Sequence, residues 1–370
     1  MSLLFLALVI GSLTFSALSV AGAFKYLAVR PPAEVRALPI SLLKPLSGLD
    51  EGLEENLRTF FEQDYVEFEI LFAVRDAADP AAAVVNRLCA EYPNVRARLI
   101  LAGEPAYANA KVYSLSQMIQ VAAHDLIVMS DSDTRVTPKF LRVVAAEFQD
   151  PKVGVATCPY RAVPGRSLWS KLEATGLNTD FMAGILVARM LEGMRFAVGP
   201  TIVARRQVIE MIGGFDRLKD YLAEDFVLGK FAADAGQGVI LSSYVIEHHI
   251  GTSDLRQNLA HRLRWVRSTR RSRPAGYMGQ VFTMPLPLVL LLWLTAWYWW
   301  PVVLLALAIR ILSAYVVATR VLRARLNWLL VPMEDMVAFG FWIAGFFGNT
   351  IIWRGTAYRL KRDGRFELAR

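Results

Sequence analysis

No charged side chain occurs between Met1 and Phe24, and Lys25 and Arg30 follow soon after. Such a run has few folded solutions. In water it would leave a helix apolar on every side, whereas in a bilayer the helix satisfies its own backbone groups. The run therefore predicts a transmembrane anchor over residues 1–24, with Lys25, Arg30 and Arg36 as its cytoplasmic flank. A cleaved signal peptide competes with this, but no basic stretch precedes the run, which is also long for such a leader. A second apolar region, residues 281–353, lies near the other end. There Trp293, Trp297, Tyr298, Trp299 and Trp300 crowd around Pro301, predicting two helices of about 283–300 and 302–319 that meet at an aromatic interface. A last apolar stretch runs from Met336 to Trp353, ahead of a basic tail, residues 354–370. Counting spans puts that tail outside, while its arginines argue for the inside. A re-entrant hairpin at Gly340, Gly345 and Gly348 reconciles the two, and the path of this segment stays open.

Between these regions, residues 31–273 read as a cytoplasmic α/β domain. Short apolar runs at Leu38–Leu43, Phe68–Val74, Val95–Leu101, Leu126–Met129 and Val153–Cys158 alternate with stretches of helical spacing, which favours a parallel sheet. In such a sheet, ligands collect beyond the carboxyl ends of the strands. The run Leu126–Met129 is followed, after Ser130, by Asp131-Ser132-Asp133, where two carboxylates can share a divalent cation, Mn2+ or Mg2+, with the oxygens of a diphosphate. A solvated turn has the same composition. Asp76 ends its own strand in the same way and is suited either to a nucleoside or to capping the next helix. Lys111, opening a helix behind Asn109, is placed for a phosphate.

Residues 169–194 are apolar with helical spacing, yet Lys171, Glu173, Asp180 and Arg189 argue against a full span. An interfacial helix lining an acceptor groove fits better, with core packing as the ordinary alternative. Glu224 and Asp225 open an amphipathic helix, where acids either cap the helix or offer a general base to an alcohol; Asp225 is assigned the base. His248 and His249 are adjacent on a strand, so their rings point to opposite faces. The segment His261–Arg271 is helical and rich in cations, and its Arg264-Trp265 pair can face either a leaving diphosphate or anionic lipid. The chain carries 41 Lys and Arg against 33 Asp and Glu, a net +8 placed mainly beside apolar segments, which favours an anionic lipid surface over nucleic acid. Its two cysteines form no C-x-x-C pair, so neither a disulfide framework nor a zinc site is expected.

These residues occur in an order that resembles the ceramide glucosyltransferase family. The chain resembles equally the bacterial relatives that place N-acetylglucosamine on bacteriohopanetetrol. Three aspartates, Asp76, Asp131 and Asp225, precede a box ending in Arg264-Trp265. Ser41–Leu46 with Lys44, Asn109-Ala110-Lys111, Ala223-Glu224-Asp225, Trp353-Arg354-Gly355 and Tyr358-Arg359-Leu360 add to the likeness. His261 departs from it, standing where Gln or Arg is usual. The resemblance implies a GT-A fold, Rossmann-like, with transmembrane helices at both ends. It also implies an inverting transfer from a UDP-sugar to a membrane lipid hydroxyl at a bacterial inner membrane. Nucleotide contacts fall to Asp76, metal and diphosphate to Asp131 and Asp133, the base to Asp225, and further substrate contacts to Lys44, Lys111, Glu224 and His261. Two other functions carry distinct expectations. A processive polysaccharide synthase requires a longer channel, and a basic lipid-binding scaffold requires no chemistry at all.

Overall fold

The computed structural model describes residues 2–30, 37–252, 254–353 and 356–369, so Met1, Pro31, Arg36, Arg354 and Gly355 lie outside the described residues. The chain divides into two compact units. One comprises Arg30–Tyr160 and Met194–Gly251, and the other Met1–Val29, Arg161–Gly193 and Thr252–Arg370. The expected domain of residues 31–273 runs across this division. Met182–Glu192 packs on the N-terminal helix Ser2–Leu27, and Leu168–Gly176 packs on the helix Leu330–Ala344, so both group with the apolar ends of the chain.

The first unit is built on a seven-stranded sheet. Its strands are β1 (Ile40–Pro45), β2 (Phe68–Val74), β3 (Arg96–Leu101), β4 (Leu126–Ser130), β5 (Val153–Thr157), β6 (Thr201–Arg205) and β7 (Gly238–Leu241). They lie in the order 3-2-1-4-6-5-7. β1, β2, β3 and β4 run parallel, β6 runs antiparallel to both β4 and β5, and β7 is parallel to β5. β4 is buried along its whole length, which is why it reads as an unbroken apolar run. From β1 the chain winds outward to β3 and then returns past β1 to β4, so the strand order reverses between β1 and β4. A crevice forms at such a reversal. Beyond β4, Thr134–Arg135 pairs with Ile246–His249, setting His248 opposite Thr134.

In the second unit, Ser2–Leu27 and Trp297–Val321 are each long and apolar enough to cross a membrane; the bent pair Pro274–Thr283 and Pro285–Trp293, at 63°, makes a third candidate if read as one broken span. Small residues cover the packed face of the first helix, as in close helix pairs within lipid. Ser19 Oγ lies 2.7 Å from Ser313 Oγ, and a methyl added at Gly22 would lie 3.0 Å from the Leu186 carbonyl oxygen. The aromatic break falls at Ala296, ahead of Pro301, because Pro301 occupies the first turn of its helix, where no amide donor is needed. The last apolar stretch holds no helix of spanning length among the described residues. Leu330–Ala344 is a helix of 15 residues, shorter than the ~20 a bilayer needs. Thr350–Trp353 then forms an antiparallel sheet with Thr356–Leu360 and Phe366–Leu368, so the basic tail is folded. Trp353 packs on Tyr358 and Phe366 in this sheet.

Candidate active site

Asp131 is the first residue beyond β4, and its amide is held by the Pro200 carbonyl at 2.8 Å. Lys44 of β1, expected to meet substrate, instead supports this turn. It is fully buried, and its ammonium donates to Asp131 O at 2.8 Å and to Ser130 Oγ and Thr134 Oγ1 at 3.2 Å, 3.5 Å from the Phe60 ring centre. Burial pulls Lys44 down to about 7 despite the charges of Asp131 and Asp133.

Lys111 is the second residue of the helix Ala110–Val121, whose cap is Asn109, accepting from Val112 N at 3.1 Å. Its ammonium bridges Asp131 Oδ1 at 2.6 Å and Glu224 Oε1 at 2.9 Å. Burial alone would lower the Lys111 pKa, but the two carboxylates outweigh it and raise it. Glu224 and Asp225 open the helix Glu224–Asp234. Asp225 Oδ2 accepts from Gly199 N at 2.5 Å, and among the described residues Asp225 makes no ion pair. Burial and then the Glu224 charge push Asp225 up to about 6. Gly199 holds φ at +55°, and a Cβ there would lie 3.1 Å from the Tyr160 ring, so a side chain would be strained and crowded.

Asp133 Oδ2 pairs with His248 Nε2 at 3.1 Å, while its Oδ1 is buried with no hydrogen-bond partner. Burial pushes Asp133 up, but the charge and hydrogen bond of His248 outweigh it and hold the carboxyl low. Asp131 is raised, chiefly by burial, with Lys111 opposing. His249 pairs with Glu247 at 2.9 Å, so the two histidines part as strand alternation predicts. Among the described residues no cluster of three or more His, Cys, Asp or Glu is arranged to hold a metal ion. Two hard carboxylates with one oxygen unpartnered nevertheless fit a divalent cation that takes its other ligands from a diphosphate and water.

Pro45, Lys111, Asp131, Gly199, Glu224 and Asp225 line one cleft at the β1/β4 reversal. Asp76 is not part of that lining. It is exposed two residues beyond β2, where its Oδ1 accepts from Ala78 N at 2.8 Å. Capping of the next helix falls to Asp79, which accepts from Ala81 N. His261, Arg264 and Trp265 lie in the second unit on the helix Leu255–Ser272. Sequence reasoning missed Gly199 and Glu173, the buried partner of His261 at 2.7 Å. A Gly-Pro pair directly ahead of β6 was the available signal for Gly199.

The profile of Glycosyl transferase family 21 matches residues 2–366. The chain belongs to that family. Among curated relatives, this family 21 chain is 27% identical over 207 residues to ceramide glucosyltransferase 1 of Caenorhabditis elegans, covering 55% of this chain and 44% of the relative. It is 25% identical over 236 residues to ceramide glucosyltransferase 3 of the same organism, covering 63% and 51%. The chain thus spans about half the length of these relatives or less. Among solved structures it is similar to the mannosyltransferase PcManGT from Pyrobaculum calidifontis in complex with GDP-Man and Mn2+, with a TM-score of 0.57 and 18% identity over 93% of this chain and 97% of that one. That likeness gives the family 21 chain its fold, GT-A, with apolar helices near both ends.

Proposed function

We propose that this family 21 chain is an inverting membrane glycosyltransferase. It moves a hexose or N-acetylhexosamine from a UDP-sugar to the hydroxyl of a membrane lipid, ceramide-type or hopanoid. The observation that carries the reading is Asp225, a carboxylate raised to about 6 in the same cleft as Asp131 and Lys111. A neutral alcohol is a weak nucleophile, and a base of that pKa is matched to taking its proton at neutral pH. The acceptor oxygen forms its bond to the anomeric carbon as the bond from that carbon to the diphosphate breaks. The proton passes to Asp225, UDP leaves, and the anomeric centre inverts.

Lys111 holds Asp131 and Glu224 in place, so that Asp225 works without an ion pair of its own. Asp131 and Asp133 would hold the divalent cation, which when bound offsets the diphosphate charge. Asp76 is assigned to the nucleoside and Arg264 with Trp265 to the departing diphosphate and acceptor. The names of the relatives support a lipid acceptor, and the GDP-Man and Mn2+ of the structural neighbour support a nucleotide-sugar donor with a metal. The two candidate spans support action at a membrane, proposed to be a bacterial inner membrane with the sheet unit in the cytoplasm and anionic lipid around the basic flanks.

The test is transfer itself. Purified protein in detergent is incubated with radiolabelled UDP-sugars, Mn2+ or Mg2+ and a panel of lipids, and labelled lipid is identified by mass. A labelled monoglycosyl lipid is expected. Polymer product, or no labelled lipid with any donor, overturns the proposal.

A further inference from the structure

Asn109 lies just ahead of Lys111, and the reaction proposed above gives it no task. The residue is fully buried, and both ends of its amide are engaged. Oδ1 accepts from Val112 N at 3.1 Å and so caps the helix Ala110–Val121. Nδ2 donates to the Tyr221 carbonyl at 2.8 Å, joining positions 112 residues apart in the chain. A cap needs only an acceptor, and serine or aspartate would serve the helix as well. The donor is what asparagine adds.

That donor holds the approach to the base. The helix Glu224–Asp234, which carries Asp225, opens on Ala223, and among the described residues no side chain caps it there. Its start must therefore be fixed from outside. Tyr221 N donates to Leu218 O at 3.0 Å, and Leu218 and Phe215 are core residues beneath the turn. Lys111 reaches Glu224 Oε1 at 2.9 Å. Asn109 and Lys111, from one helix start, thus grip the segment Tyr221–Glu224 at its two ends, immediately before Asp225.

We infer that Asn109 is a positioning residue for Asp225: by holding the Tyr221 carbonyl it fixes the turn ahead of the base and with it the base's place and burial. The inference rests on the base role proposed for Asp225 and adds to it the residue that sets its position. Every residue it joins lies in the sheet unit. Displacing a reacting group by about 1 Å can cost about 10²-fold in rate. Losing the tether therefore lowers turnover, while Lys111 and Asp131 keep their contact and donor affinity is preserved.

The test is Asn109→Ser in full-length protein in detergent, since serine keeps an acceptor for Val112 N and ends one bond short of Tyr221 O. Its kcat should fall about tenfold or more while the UDP-sugar KM stays within about twofold. The acid limb of kcat/KM should move to lower pH, because a loosened Asp225 gains water. A residue that only caps its helix would move neither, so a wild-type kcat and pH profile overturn the inference, as does a loss confined to the UDP-sugar KM. If that variant fails to fold, Asn109→Asp, which has the reach but no donor when ionised, decides in the same way by the split between kcat and KM. Hydrogen exchange read by mass spectrometry makes the test independent of turnover. Amides of residues 221–227 should exchange about tenfold faster in Asn109→Ser, with those of residues 112–121 unchanged. Unchanged exchange at 221–227 overturns the inference. Faster exchange there, in protein that transfers sugar to no lipid, would strike the proposed reaction and leave the placement of Asp225 by Asn109 standing.

Discussion

Burying Asp225 beside Glu224 raises the pH at which it ionises, and a base works only when ionised. With its pKa at about 6, kcat/KM should fall about tenfold per pH unit below that value and level off above it, as measured by initial rates across pH. Asp225→Asn should lower kcat by about 10³-fold or more while UDP binding, followed calorimetrically, stays largely intact. Asp133→Ala should instead weaken Mn2+-dependent UDP binding, since the buried, unpartnered Oδ1 goes with the side chain. Equal loss of nucleotide binding in both variants would mean that the base is misassigned. Lys44→Met should cut kcat/KM by about tenfold yet shift the melting temperature by only a few degrees, because the desolvation cost of a buried ammonium disappears together with its three hydrogen bonds. Asp131 and Asp225 were legible because acids at the end of an apolar run and at a helix mouth announce their places. The task of Lys44 was not, since a lysine in a strand ordinarily reads as exposed and this one is saturated by partners distant in sequence.

The helix Leu255–Ser272 is fixed at several places by other elements. Besides Glu173 on Asn258 and His261, Glu334 pairs with Arg262, and Arg267 and Arg270 donate to carbonyls of residues 346–350. Gly176 makes room for one of these contacts, because a Cβ there would lie 2.5 Å from Glu334 Oε1. Gly176→Ala should therefore push Glu334 away from Arg262 and cost about 1–3 kcal/mol, read as a lowered thermal midpoint in detergent. Glu334→Gln should cost about 3 kcal/mol by leaving Arg262, only 12% exposed, without its charge partner. Helices with a long period were readable at this scale, including the one that opens behind Asn109. The strand Thr350–Trp353 was absorbed into the apolar run before it, because a short apolar segment does not declare its period.

At the level of the molecule, the apolar ends were legible from hydropathy, and the parallel half of the sheet from alternating strands and helices. The pairing of antiparallel β6 between β4 and β5 was not, since it depends on register across distant segments. Protein in isolated membranes should resist extraction by alkaline carbonate and dissolve in detergent, as fractionation would record; release by carbonate alone would argue against spanning helices. The two units are also interleaved along the polypeptide, which leaves the sheet unit and re-enters it around Arg161–Gly193. Trimming the chain from its two ends cannot isolate the sheet unit for crystallisation. Expressing residues 30–251 would carry Leu168–Glu192 along without the helices that cover it, so a soluble version has to be spliced, joining Tyr160 to Met194 through a short polar linker.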